Sequence, residues 1–313
     1  MLSCILINGD GFNPDKMILL TGSSGFLGQT ILNYFGDEPI KTLSRQGSDY
    51  NLHLESVIPE IKESFKLVIH AAGKAHSVPK TAAQNQAFFD VNVNGTANLL
   101  TGLENATLPK SFIYISSVAV YGIETGMFIT ENAPLLANDP YGKSKIQAEQ
   151  LVKNWCEKNS VICTILRLPL IAGTTPPGNL KAMINAIKGG YYFNIDGGKA
   201  KKSMVLATDV AKIIPVAASI GGIYNLTDRY NPNFTELSHI IALQLKTSAP
   251  LNIPLWLATI IAKIGDLLGS KAPINSNKLK KMISDLTFDD SNARQLLGWQ
   301  PDLVLKEFKI NKL

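Results

Sequence analysis

The chain has 313 residues, of which 45% are hydrophobic, and carries a formal charge of +5. That length can bury a large core, as one two-lobed unit or as two domains. The small charge, with no long block of lysine and arginine, argues against nucleic-acid binding and leaves local lysines free to meet a diphosphate.

Cys4, Cys156 and Cys163 are the three cysteines, an odd count with no metal-ligand spacing. They read as reduced thiols of a cytoplasmic protein, and no metal site is expected. Residues 1–16 form an extension with no assignable role. They lack the basic region and long apolar run of a secretory signal, and Gly9-Asp-Gly11 reads as a loop.

Met17-Ile-Leu-Leu-Thr-Gly-Ser-Ser-Gly-Phe-Leu-Gly28 follows, an apolar run that leads into glycines at three-residue spacing. The run suits a parallel strand covered on both faces. Gly22 permits a tight turn, Gly25 lets the backbone approach a pyrophosphate, and Gly28 lets the next helix, Phe26 to Phe35, pack closely. Unpaired N–H groups and the positive end of the dipole make that helix start an anion site. After the second strand, Ile40-Lys-Thr-Leu43, come Ser44 and Arg45 rather than an acid. An acid would hold the ribose hydroxyls of NAD, whereas an arginine suits the phosphate of NADP. The cofactor is therefore NAD or NADP, with NADP slightly favoured.

Leu67 to Gly73 reads as a strand ending in a small-residue turn, Asp90 to Leu103 as a helix, and Ser111–Ser117 and Ile162–Leu168 as further strands. Such alternation implies an α/β fold of the Rossmann type, a doubly wound parallel sheet with ligands beyond the carboxyl ends of its strands. His70, at a strand end, reads as a buried hydrogen-bonding residue, and neither it nor His76 has partners for a metal. The cofactor domain is assigned to residues 1–172. Residues 173–313 form mainly a smaller C-terminal substrate-binding lobe, with segments such as the strand Gly222 to Leu226 returning to the first domain. Pro254 to Leu268 is apolar but interrupted by Lys263 and Asp266, and it is too short to span a bilayer. It reads as a packed amphipathic helix rather than a peripheral membrane contact.

Asn138-Asp-Pro-Tyr141 has the form of a helix start, with Asp139 as N-cap and Pro140 in the first turn. Tyr141 and Lys145 then share one helical face. A phenol with a pKa near 10 is a poor base at neutral pH, and a neighbouring ammonium lowers that value. Tyr141 can then exchange a proton with a sugar oxygen while the nicotinamide exchanges a hydride, and Ser117 can hydrogen-bond the same oxygen.

These residues resemble the extended short-chain dehydrogenase/reductase family, the NAD-dependent epimerases and dehydratases of nucleotide sugars, over nearly the whole chain. The carriers are Thr21 to Gly28, His70-Ala-Ala-Gly73, Asn92-Val-Asn-Gly-Thr96, Ser116-Ser-Val-Ala-Val-Tyr-Gly122, Pro140-Tyr-Gly-Lys-Ser-Lys145 and Leu296-Leu-Gly-Trp-Gln-Pro301. The resemblance implies a catalytic triad of Ser117, Tyr141 and Lys145, with Lys145 also on the nicotinamide ribose. With the glycine turn it completes a cofactor set of Gly22, Ser24, Gly25, Phe26, Leu27, Gly28, Arg45, Ala72, Gly73, Asn92, Tyr141 and Lys145. It places Ser117, Asn179 and Lys202 at the substrate. Asn179 sits where relatives meet the diphosphate, Lys202 where they often carry an arginine, and Lys278, Lys280 and Lys281 near a second basic position. A UDP-sugar partner and a homodimer through a helix bundle are further implications.

Departures from the family pattern narrow the chemistry. The 4,6-dehydratases carry Thr-Asp-Glu where this chain has Ser117-Val-Ala119, so dehydration is not expected. Leu170 replaces an asparagine of the galactose-pathway epimerases. Arg167 to Gly173 and the apolar helix near Trp256 look more like the branch serving O-antigen and capsule synthesis, which acts on UDP-N-acetylhexosamines and their 4-keto, 6-deoxy derivatives. A 4-epimerase and a 4-ketoreductase both use Ser117, Tyr141 and Lys145, and both readings stay open. The alternatives are an epimerase of a polyprenyl-diphosphate-linked sugar and a non-catalytic NADP-binding sensor.

Overall fold

The computed structural model describes residues 17–75, 78–268 and 274–310; the expectations for Cys4, Gly9–Gly11 and His76 lie outside them. In chain order, β1 (Ile18–Thr21) passes through the glycine turn into α1 (Phe26–Phe35), then β2 (Ile40–Ser44), β3 (Tyr50–Asn51) and β4 (Leu67–His70). A helical rod follows, made of α2 (Ala82–Phe89), a π-helical stretch Asp90–Asn94 and α3 (Gly95–Glu104). Next come β5 (Ser111–Ser117), a 3-10 turn Val118–Tyr121, β6 (Gly126–Ile129), α4 (Pro140–Lys158) and β7 (Ile162–Leu168). The remainder comprises β8 (Leu170–Ala172), α5 (Gly178–Lys188), β9 (Phe193–Ile195), β10 (Met204–Leu206), α6 (Ala207–Ile220) and β11 (Gly222–Asn225). Last are α7 (Phe234–Leu245), β12 (Leu251–Ile253), α8 (Leu255–Leu268), α9 (Ser276–Ile283), β13 (Leu286–Phe288), α10 (Ser291–Leu297) and α11 (Val304–Glu307).

Seven strands form the main sheet in the order β11-β7-β5-β4-β1-β2-β3, every neighbouring pair parallel. Chain order reverses between β1 and β4, so a crevice opens there beyond the strand ends. The pleat sends alternate residues to opposite faces. Ile18 and Leu20 join Ile69, Ile113 and Leu166 under α1, α6 and α10. Leu19 joins Val68, Phe112 and Ile165 under α3 and α4. Each such large side chain, withdrawn from water, contributes about 1.5–3 kcal/mol.

After Leu168 the chain leaves this sheet. β8 pairs with β10, β9 with β12 and β6 with β13, in three two-stranded sheets. Leu180, Ile184, Met204, Leu237 and Ile241 close a separate core between α5, β8, β10 and α7. α6, β11 and α10 return to the main sheet, with Val210, Ile214, Tyr224 and Ala293 in its core.

Two local expectations need correction. The helix expected from Asp90 begins eight residues earlier, at Ala82, because the Thr81 side chain accepts a hydrogen bond from Gln84 N–H and caps it. α8 does not bury its large residues: Ala258, Ala262 and Gly265 face the protein. Trp256, Ile260, Ile264 and Leu267 are 65%, 49%, 54% and 88% exposed.

Candidate active site

Gly22 has φ +72°, and a Cβ there would stand 2.6 Å from Ala72 N, so a side chain at that position would drive β1 and β4 apart. A Cβ on Gly28 would lie 2.1 Å from the Gly22 carbonyl oxygen, which ties the first turn of α1 to the glycine turn itself. Gly25, the N-cap of α1, offers no side-chain cap, and the N–H groups that follow it have no intrahelical acceptor. A cleft of about 260 Å³ opens against them, lined by Gly22, Ser24, Gly25, Ser44, Arg45, Ala72 and Gly73 together with Leu43, Leu52, Leu54, Glu55, Ala71 and Val91.

The floor of this cleft is held by a chain of hydrogen bonds. Ala72 N–H donates to Thr21 Oγ1 (3.2 Å), and Thr21 Oγ1 lies 2.6 Å from His70 Nδ1. His70 Nε2 lies 2.9 Å from Thr96 Oγ1, which donates to the Asn92 carbonyl at 2.6 Å. Each hydroxyl has a single proton, so Thr96 accepts from Nε2–H and Thr21 donates to Nδ1. The imidazole is therefore neutral, and burial, reinforced by Lys145, pushes its pKa down to about 3. As read from its position, His70 is a buried hydrogen-bonding residue.

Asn92 lies within the π-helical stretch, a distortion of the kind often found at functional sites. Its Oδ1 accepts from Lys74 N–H (2.7 Å), while its Nδ2 donates to Lys74 O (3.1 Å) and Ser144 Oγ (2.9 Å). One side chain thus joins the loop after β4 to α4. Gly73 closes the gap between them: a Cβ there would come 3.2 Å from Asn92 Oδ1 and 3.6 Å from Lys145 Nζ.

α4 begins as its residues require. Asp139 Oδ1 accepts from Gly142 N–H at 3.0 Å, and Pro140 occupies the first turn. Ser117 stands beside Tyr141; burial raises the phenol pKa, and the serine hydroxyl, which favours the phenolate, partly offsets it. Ser117, at the carboxyl end of β5, accepts from Ala119 N–H at 3.2 Å. Lys145 is buried, and its Nζ donates to Tyr114 Oη (2.9 Å) and Ile115 O (2.7 Å). Burial lowers its pKa to about 7, against a smaller opposing pull from Glu149.

The expected depression of the phenol by Lys145 is absent: the ammonium is directed at Tyr114 and Ile115, and Ser117 is the group that favours the phenolate. Tyr114 and Glu55 carry no signal of a role in the sequence. Tyr114 reads as an ordinary core residue of β5, and Glu55 sits ten residues beyond Arg45, outside the short window after β2. Phe26, Leu27 and Gly28 lie in the first turn of α1 without lining the cleft, although a Cβ on Gly173 would meet the Phe26 ring at 2.7 Å. Asn179 is exposed in the first turn of α5. Lys202, partly buried, donates to Ser284 O at 2.8 Å. Lys281 pairs with Glu124 at 3.0 Å, and Lys280 is exposed on the same helix. No group of His, Cys, Asp and Glu suited to a metal occurs among the described residues.

Residues 18–226 match the profile of the NAD dependent epimerase/dehydratase family. The chain belongs to that family. It is 30% identical, over 87% of each chain, to an N-acetyl-alpha-D-glucosaminyl-diphospho-ditrans,octacis-undecaprenol 4-epimerase of Escherichia coli O157:H7. It is 27% identical to a UDP-glucose 4-epimerase of Vibrio cholerae, over 96% of this chain and 95% of that one. Among solved structures it resembles RMD from Pseudomonas aeruginosa complexed with NADPH, with a TM-score of 0.69 and 21% identity over 94% of this chain and 96% of that one. As a member of this family it is an NAD(P)-dependent enzyme of the epimerase/dehydratase kind. The cleft fits that cofactor: the Gly25 backbone lines it, N–H groups without an intrahelical acceptor begin α1, and Gly73 stands where a side chain would come 3.2 Å from Asn92 Oδ1.

Proposed function

We propose that this protein is a 4-epimerase of a hexose or N-acetylhexosamine carried on a diphosphate, with Ser117, Tyr141 and Lys145 as its catalytic residues. The observation that supports it most is the grouping of Ser117, at the carboxyl end of β5, with Tyr141 and the buried Lys145, one turn apart on α4 and next to Gly73 of the dinucleotide cleft. A bound nicotinamide supplies hydride exchange at carbon 4. Every other duty falls to the chain. Tyr141 Oη holds the proton that moves to or from the sugar O4, with Ser117 Oγ bonded to that same oxygen. Lys145, whose Nζ lies next to Gly73, is the group proposed to meet the cofactor ribose. Ala72 and Gly73 line the cleft as backbone with no bulky side chain, and Arg45 provides the cation at its ribose end. Asn179 and Lys202 are proposed as the diphosphate contacts, the first at a helix N-terminus that favours anions.

An epimerase returns its hydride to the same carbon, so the measurement is product without net redox. Incubation of UDP-N-acetylglucosamine or UDP-glucose with the protein and oxidised dinucleotide is expected to yield a mixture of C4 epimers with no net accumulation of NADH or NADPH. Stoichiometric NADPH oxidation by a 4-keto UDP-sugar, with no epimer formed, would overturn the reading in favour of a reductase. The undecaprenyl-diphosphate substrate named for the Escherichia coli relative supports a second reading, in which the carrier is a polyprenyl lipid.

A further inference from the structure

α8 inverts the usual arrangement of a surface helix, in which the large apolar residues face the core. Its contact with the protein is made by Ala258, Ala262 and Gly265, where Ala258 and Ala262 pack with Ile195 and Leu279. Its large residues cluster on the other side: Trp256, Ile260, Ile264 and Leu267 recur every three or four residues, all at least 49% exposed. Leu251, in the strand leading into α8, is 71% exposed and continues the patch. An apolar stripe of this kind on a soluble chain marks a surface that meets another apolar phase.

The charges around it identify that phase. Lys263 on α8 and Lys278, Lys280 and Lys281 on α9 stand about it, Lys281 paired to Glu124, and the carboxylate carried by α8 and α9 themselves is Asp266. That carboxylate is engaged by Ser276, through its N–H (3.0 Å) and its hydroxyl. A second copy of the chain laid face to face would set lysine against lysine, whereas an anionic lipid surface complements them. A helix of 14 residues is about 21 Å long, too short to span a bilayer and suited to lie in its surface. No described helix is long and apolar enough to cross a membrane.

We infer that α8 docks this protein on anionic membrane, with the Trp256–Leu267 stripe in the headgroup–acyl boundary and the exposed Lys263 of α8 and Lys280 of α9 on the lipid phosphates. Joined to the epimerase reading, on which this last step alone rests, the docking puts the catalytic groups within reach of a sugar diphosphate anchored in that membrane. α9 supports the placement, since Lys281 is paired to Glu124, seven residues beyond Ser117.

The test uses the full chain and vesicles of phosphatidylcholine with and without phosphatidylglycerol. The protein is expected to float with the anionic vesicles, to be released by salt, and to show a blue shift in tryptophan emission. That shift reports Trp256, because Trp155 and Trp299 are only 7% and 3% exposed. The double variant Ile260→Glu/Ile264→Glu is expected to lose vesicle partitioning by more than about tenfold, while turning over soluble UDP-sugar as the parent does. No flotation, or a parent that self-associates without vesicles where the double variant is monomeric, would overturn the inference. Flotation requires no turnover, so failure of the epimerase assay would sink the epimerase reading and leave the docking result intact.

Discussion

The ammonium of Lys145 sits 4.3 Å from the centroid of the Tyr114 ring and donates to that ring's hydroxyl at 2.9 Å. Both groups are buried, and burial brings the lysine pKa from 10.5 to about 7. Between those two values the unfolded chain binds a proton that the folded chain does not. Stability of the cofactor-free protein should therefore rise with pH from about 7 to about 10.5, by at most about 1.4 kcal/mol per pH unit. Denaturant unfolding of parent and Lys145→Met across this range checks it; the variant should lack that component of the rise.

Tyr141→Phe removes the proton carrier and leaves the cleft wall intact. Turnover should fall about 10²- to 10⁴-fold, with dinucleotide affinity unchanged. Steady-state kinetics and a cofactor titration measure the two separately, and near-parental turnover would remove Tyr141 from the chemistry.

Arg45 and Glu55 both line the cleft; against the upward pull of burial, backbone and His53 hydrogen bonds hold the Glu55 carboxyl below its usual range, and the Arg45 guanidinium adds to that. Arg45→Asp should weaken NADP by about tenfold or more while changing NAD little, since a charge-assisted bond to a phosphate contributes about 1.5–3 kcal/mol. Equal losses for both dinucleotides would show that Arg45 does not meet the phosphate.

The Arg167–Glu149 pair is buried, with contacts of 2.7 and 3.1 Å, and Ser116 Oγ donates to the same carboxylate at 2.5 Å. Arg167→Met should destabilise the fold by about 3–5 kcal/mol, because it strands a carboxylate in the core. Arg167→Met/Glu149→Leu should recover part of that loss, measured as the shift in denaturation midpoint.

His70 is held neutral between two hydroxyls, with its pKa reduced from 6.5 to about 3. As pH falls below 6.5 the unfolded state gains a proton that the fold refuses until about 3, so stability declines across that window. His70→Leu should cost about 1–3 kcal/mol at neutral pH through its stranded hydroxyls, and should flatten the acid-side slope of stability against pH.

What could be read from residues alone followed local physics. α1, β5 and β7 begin and end at the expected residues, because glycine, charge and apolar alternation mark their limits within a few positions. The Asp139 cap was visible for the same reason. Residues whose role depends on distant neighbours were not. Lys145 shares a helical face with Tyr141, yet its Nζ is drawn to Tyr114 and Ile115, thirty or so residues away in sequence. The orientation of α8 was hidden because its apolar residues run around much of the helix, and periodicity cannot say whether alanine or isoleucine turns inward.

The π-helical stretch makes the rod between β4 and β5 sensitive to length. Loss of a single residue from Asp90–Asn94 would let the backbone relax into ordinary α-helix, yet would swing Asn92 about 100° around the axis, away from Lys74 and Ser144. A deletion that improves the helix would thus unfasten the loop at Gly73 from α4, and a well-folded chain would lose the wall against which its cofactor rests.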